Sequence, residues 1–280
     1  MFTEDCSHLT TNTSSPATVR NPTPSLRAST RSYLYLHNGT FNIYSRLLPA
    51  ILSTLAVLAC SWYFTTTHYA DAIPGDKIVF SFFFATAAIC FGLSASYHTL
   101  MNHSENMSHL WLRMDFVGIV ILTLGDFVSG IYMVFYCEPM QQKIYWTMIL
   151  TLGTATDVMV VSPQFQGRRW RTVRVCSFVG TGLSGFAPLA HGIRLFGWTQ
   201  MWRMSGMPYY LLEGALLILG ALFYAARIPE RFVPGRFDIL GCSHQIFHVL
   251  VVAATAVHAV GILDAYEYNR ANRSCGIGGV

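Results

Sequence analysis

Seven apolar blocks follow one another along the chain, at about residues 47–66, 77–98, 114–135, 144–161, 173–193, 209–226 and 243–263. Each is near the ~20 residues that carry a helix across hydrocarbon. The polar stretches between them are short, which leaves no room for a second folded unit. The pattern predicts an all-α membrane protein, a seven-transmembrane helix bundle.

Composition agrees with that pattern. The chain has 280 residues, 52% hydrophobic and 11% charged, where a soluble domain carries about 25% charged residues. The stretch before the first block differs in kind. Residues 1–32 hold thirteen Ser or Thr and three Pro, with no apolar run. They read as a disordered Ser/Thr-rich cytoplasmic tail. Residues 33–46 then form a juxtamembrane segment, 47–263 the transmembrane domain and 264–280 a short outer tail. No apolar core of signal-peptide length follows a basic start, so the first span itself is expected to enter the membrane. The seven cysteines include no C-x-x-C pair, and neither a disulfide framework nor a thiolate metal site is expected.

Charge decides the orientation. With the N-terminus inside, the cytoplasmic side holds twelve of the 18 Lys and Arg, among them Arg46, Arg113, Arg169, Arg174 and Arg231. The outer side holds six: Lys77, Lys143, Arg194, Arg203, Arg270 and Arg273. The bias predicts a cytoplasmic N-terminus and an outer or lumenal C-terminus. Trp62, Tyr145, Trp146, Trp198 and Trp202 fall at outer helix ends, where an interfacial belt belongs.

Polar residues inside the spans carry the chemistry, because an ionisable group in hydrocarbon is costly without a partner. The seventh span opens "GCSHQIFHVLVV", placing His244 and His248 one turn apart on one face at its cytoplasmic end. A His-x-x-x-His pair alone is compatible with simple packing. The second span, however, ends "LSASYHTL" and delivers His98 to the same depth, and the third begins "LRMDFVGI" with Asp115 there too. Three histidines are a standard set for catalytic zinc, which keeps a fourth position for water. His98, His244 and His248 are therefore the expected metal ligands. Asp115 is placed to orient or deprotonate the water, and Ser94, one turn before His98, to donate to a ligand or substrate oxygen.

Other buried polar groups read differently. Asp126 lies three turns past Asp115 and faces either an internal cavity or a structural partner. Asp157 is expected to meet the arginines of the following loop. His258 is too far from His248 for the same metal and reads as structural, while Glu213 and His191 are placed near the outer interface.

At these motifs the chain resembles the progestin and adiponectin receptor family, which includes the haemolysin III-like proteins and fungal zinc-homeostasis members. The stretch "ARIPERFVPGRFDILGCSHQIFHVLVV" looks very like the end of the adiponectin receptors, and "SASYH" and "RMDFVGI" match two further family motifs. The resemblance covers about residues 34–263 and suggests an adiponectin-receptor-like, fungal-type member. It implies zinc on His98, His244 and His248, Asp115 beside the metal water, and an N-inside topology. One departure stands out: in "LHNGTFNIYSRLLP", Gly39 occupies the place of a family glutamate three residues before Asn42.

Two functions follow as expectations. One is a ceramidase-like hydrolase cutting a lipid amide of the ceramide class, with Asp115 as general base. The other is a receptor or regulator of lipid and zinc metabolism in which zinc is structural. The expected partners are the membrane and a lipid of the ceramide or fatty-acid class, with no nucleic acid, in the plasma membrane or endoplasmic reticulum. A retinal protein is excluded because the only lysines are Lys77 and Lys143, neither in the seventh span. A G-protein-coupled receptor would reverse the charge bias. A zinc transporter would need ligands along the membrane path, whereas these are expected at one end.

Overall fold

The computed structural model describes residues 25–66, 72–165, 168–233, 236–237, 239–272 and 275. Its helices are α1 (Leu26–Arg31), α2 (Thr40–Thr66), α3 (Pro74–Leu100), α4 (Glu105–Val134), α5 (Pro139–Val161), α6 (Arg171–Leu183), α7 (Phe186–Phe196), α8 (Trp198–Met204), α9 (Met207–Ala226) and α10 (Ser243–Asn272). Seven segments among the described residues are long and apolar enough to cross a membrane.

The helix starts follow local chemistry. Pro74 opens α3, where its missing N–H costs nothing, and the Asp76 carboxylate accepts from the Ile73 N–H at 3.1 Å. Ser104 caps α4, its hydroxyl accepting from the Met107 N–H, with Glu105 in the first turn. Pro139 opens α5. Several helices outrun their apolar blocks, α2 by seven residues and α4 by nine, because the bilayer limits only the apolar portion.

The fifth apolar block is two helices. α6 and α7 meet at Ser184–Gly185, within a Gly-rich stretch. Pro188 lies just beyond, and a proline cannot donate to the carbonyl four residues back. The N-terminal region is also more ordered than a wholly disordered tail. Residues 1–24 lie outside the described residues, but α1 packs on α3, with Tyr33 and Thr99 hydroxyls 2.8 Å apart.

α3 and α4 form the centre, each about half buried, while α2, α6, α7 and α9 turn most of their apolar surface outward. The two central helices approach closely: a Cβ on Gly118 of α4 would stand 3.2 Å from Cys90 Cα of α3. Phe64, Phe83, Tyr132 and Tyr266 fill the core towards the end of the bundle where α10 finishes. There Asn269 donates to the Met133 and Met204 carbonyls at 3.1 and 2.8 Å, tying α10 to α4 and α8. Trp62, Trp198 and Trp202 are exposed at that end, as a belt requires. Trp146 turns inward instead and donates to the Val128 carbonyl at 3.1 Å.

The cysteines depart from expectation. Cys137, just after α4, is disulfide-bonded to Cys275, 138 residues further on. Cys242 is disulfide-bonded as well, at the opposite end of the bundle. Spacing could not reveal a pair that only the fold brings together.

Candidate metal centre

His98 arrives from the last turn of α3, and His244 and His248 from the first turns of α10; all three are buried. The start of α10 is fixed from outside the helix. The Ser243 N–H donates to Glu230 Oε2 at 2.8 Å, and the Ser243 hydroxyl bonds the same carboxylate. Gln245 adds a second anchor, its side chain donating to the Ile239 carbonyl (2.9 Å) and accepting from the Gly241 N–H (2.6 Å). These contacts aim both histidines of the following turn at His98.

The geometry fits a cation. One ring nitrogen from each histidine lies within 4.8 Å of the others. His98 Nε2 and His244 Nε2 are 3.3 Å apart, and two nitrogens on one tetrahedral zinc stand about 3.3 Å apart given bonds near 2.0–2.1 Å. Ser45 Oγ on α2 donates to the Asn42 carbonyl (3.2 Å), so it accepts from His248 Nδ1 at 2.9 Å. That bond places the proton on Nδ1 and leaves the Nε2 lone pair for a ligand role. The buried triad could hold a metal ion. The rings meet edge-on or tilted, with centroids 4.4–5.2 Å apart, and Tyr224 covers His244 at 5.6 Å.

Arg46, one residue after Ser45, is buried, 4% exposed, with its guanidinium over the Phe91 ring at 5.5 Å. Its charge acts on His244, His248 and Asp115. Asp115 sits on α4 at the same end of the bundle, outside the tight histidine group. Ser94 is buried on α3 one turn before His98. The sequence reading placed Ser45 and Arg46 before the first span; both belong to α2 and wall the site. An apolar pocket of about 260 Å³, lined by Phe41, Leu240, Ile246, Val249 and Leu250 among others, lies on a neighbouring face of α10's first turns.

The remaining polar residues sort themselves further along the bundle. Glu213 turns into the bundle: it is buried, with Oε2 2.7 Å from His258 Nδ1. Asp126 joins the same pair, and the three form a second group of potential metal ligands. Such groups therefore do not sit at one end only. His191 bonds the Tyr145 hydroxyl at 3.0 Å. Asp157 makes no ion pair among the described residues. The nearby Arg174 donates instead to the Phe165 carbonyl at 2.6 Å, and the Arg168 and Arg171 side chains lie outside the described residues. Gly39 has a local reason. A Cβ there would press on the buried His37 ring at 3.2 Å, and His37 Nδ1 accepts from the Gly39 N–H at 3.0 Å.

Comparison with known proteins matches this architecture. Residues 34–259 fit the model of the "Haemolysin-III related" family. An adiponectin receptor protein of Drosophila melanogaster is 38% identical over 91% of the chain and 57% of its own length. An ADIPOR-like receptor of Saccharomyces cerevisiae is 35% identical over 85% of the chain and 74% of its own length. A heptahelical transmembrane protein of Arabidopsis thaliana is 43% identical over 66% of the chain and 48% of its own length. The chain belongs to the haemolysin-III-related family of progestin and adiponectin receptor-like proteins, and is a multi-pass integral membrane protein. It spans under three-fifths of the fly relative. The matches cover animal, fungal and plant proteins and do not single out a fungal type.

Proposed function

We propose that the histidine triad holds zinc near the cytoplasmic face and that the protein hydrolyses a lipid amide of the ceramide class. The observation that carries this reading is the convergence of one nitrogen each from His98, His244 and His248 within 4.8 Å, with no fourth ligand in the group among the described residues. Three histidines with a position left for water are the donor set of a catalytic rather than a structural site. Bound zinc would supply a Lewis acid and a water whose pKa falls towards ~7.

The chain's own residues do the rest. Ser45 holds the His248 tautomer. Asp115 accepts the water proton and later returns it to the leaving amine. Ser94 donates to the substrate, and the apolar pocket beside α10 is suited to a lipid chain. Arg46 and Asp115 offset one another's charge, so the site reaches the membrane without a large net charge. The excess of Lys and Arg at the triad end supports an N-inside orientation.

The second reading is a receptor or regulator of lipid and zinc metabolism in which zinc ties α3 to α10. It is favoured by the names of the relatives, several of which are called receptors. Fatty-acid release from a ceramide panel by purified protein, with and without chelator, separates the two. Chelator-sensitive release supports hydrolysis. Zinc-loaded protein that cleaves nothing supports the receptor.

A further inference from the structure

A second polar centre lies deeper in the bundle. His258 is ten residues beyond His248 on α10, about 15 Å along the axis at 1.5 Å per residue. Asp126 reaches it from α4 and Glu213 from α9, and one ligand atom from each lies within 4.8 Å of the others. His258 is 2% exposed, with the Phe83 ring stacked at 4.9 Å and Tyr210 at 5.3 Å.

The hydrogen bonds fix which nitrogen is free for a ligand. Ser129 Oγ donates to a backbone carbonyl, that of Gly125 at 2.8 Å or Asp126 at 3.1 Å. It therefore accepts from His258 Nε2, 2.9 Å away. A neutral His258 then turns a bare Nδ1 lone pair to Glu213 Oε2 at 2.7 Å. Two lone pairs at that distance require a cation between them, either a proton or a metal. Asp126 strengthens the demand. Its Oδ1 is buried with no hydrogen-bond partner among the described residues, as is the Tyr210 hydroxyl. The charged groups that act on Asp126 are Glu213 and His258. Two carboxylates and a neutral imidazole in hydrocarbon are balanced by one divalent cation or by two protons, and a single shared proton leaves a negative charge.

We propose that Asp126, Glu213 and His258 form a second divalent-cation site, of the zinc or manganese class, inside the membrane-spanning bundle and separate from the histidine triad. His258 binds through Nδ1, with Nε2–H held by Ser129, which is how metal-bound histidines are commonly oriented. Bonds near 2.0–2.2 Å require the three side chains to shift by about 1 Å. One imidazole and two carboxylates favour harder cations than three imidazoles do, so the two sites differ in selectivity.

The test uses the full chain in detergent, loaded with zinc alone and passed over a desalting column. The expected wild-type content is two equivalents. A His98→Ala/His248→Ala protein keeps one, and its melting temperature rises with added zinc. Adding Glu213→Gln or Asp126→Asn removes that equivalent and the rise. Those conservative changes preserve volume and hydrogen bonding, and wild-type content needs no variant at all. One equivalent in the wild type that the His98→Ala/His248→Ala change removes, or a His98→Ala/His248→Ala protein free of zinc, overturns the second site. Because metal content is the readout, the result is independent of whether the triad hydrolyses anything.

Discussion

Ser45 Oγ and His248 Nδ1 stand 2.9 Å apart, joining the first span to the last through the candidate metal site. The serine has no charge and no ligand role, yet it decides which nitrogen of His248 carries the proton. Outer hydrogen bonds of this kind are worth about 10–100-fold in metal affinity. Ser45→Ala is therefore expected to weaken zinc binding by about that factor, and Ser45→Thr to restore most of it. Competition against a chromophoric chelator measures the difference. Equal affinity in wild type and Ser45→Ala would mean that His248 is oriented by packing alone.

Asp115 is expected to behave differently from the histidines. Asp115→Asn retains the metal but removes the base, and general-base catalysis contributes typically about 10²–10⁴-fold. Fatty-acid release per bound zinc should fall by at least about 100-fold. A fall in zinc content of the same size would make Asp115 a ligand instead.

Glu230 acts on stability through the start of α10. Glu230→Ala leaves the Ser243 N–H and hydroxyl without their buried acceptor, at a cost of about 1–3 kcal/mol. Glu230→Gln retains an acceptor oxygen and should cost less. Thermal melting of detergent-solubilised protein reads both. No shift in either variant would show that the start of α10 is held without Glu230.

The spans were legible because hydrocarbon thickness imposes a length on apolar runs, and His98, His244 and His248 because a histidine there needs a purpose. What surrounds them was not. Ser45 and Arg46 look like an interfacial flank, since nothing in sequence shows that α2 begins at Thr40 and buries an arginine beside Phe91. The break between α6 and α7 hides in an unbroken apolar count, although Pro188 and its neighbouring glycines mark it. The partner of Glu213 was hidden for a related reason, since it lies 45 residues away on α10.

Topology can be checked through the Asn-x-Ser/Thr sequons at Asn12, Asn38, Asn102, Asn106 and Asn272. An N-inside chain exposes only Asn272 to the glycosylation machinery. Mass spectrometry should find Asn12, Asn102 and Asn106 unmodified. A glycan at Asn102, beside the triad end of α3, would reverse the orientation and move the site to the outer face.

The claim on which the functional reading rests is that His98, His244 and His248 share one metal ion. Zinc per mole of purified protein, compared between the wild type and His248→Ala, tests it most directly. The predicted result is the loss of one equivalent in the variant, whatever the total, with the rest of the bundle still folded. An undiminished zinc content in folded His248→Ala protein would contradict the account.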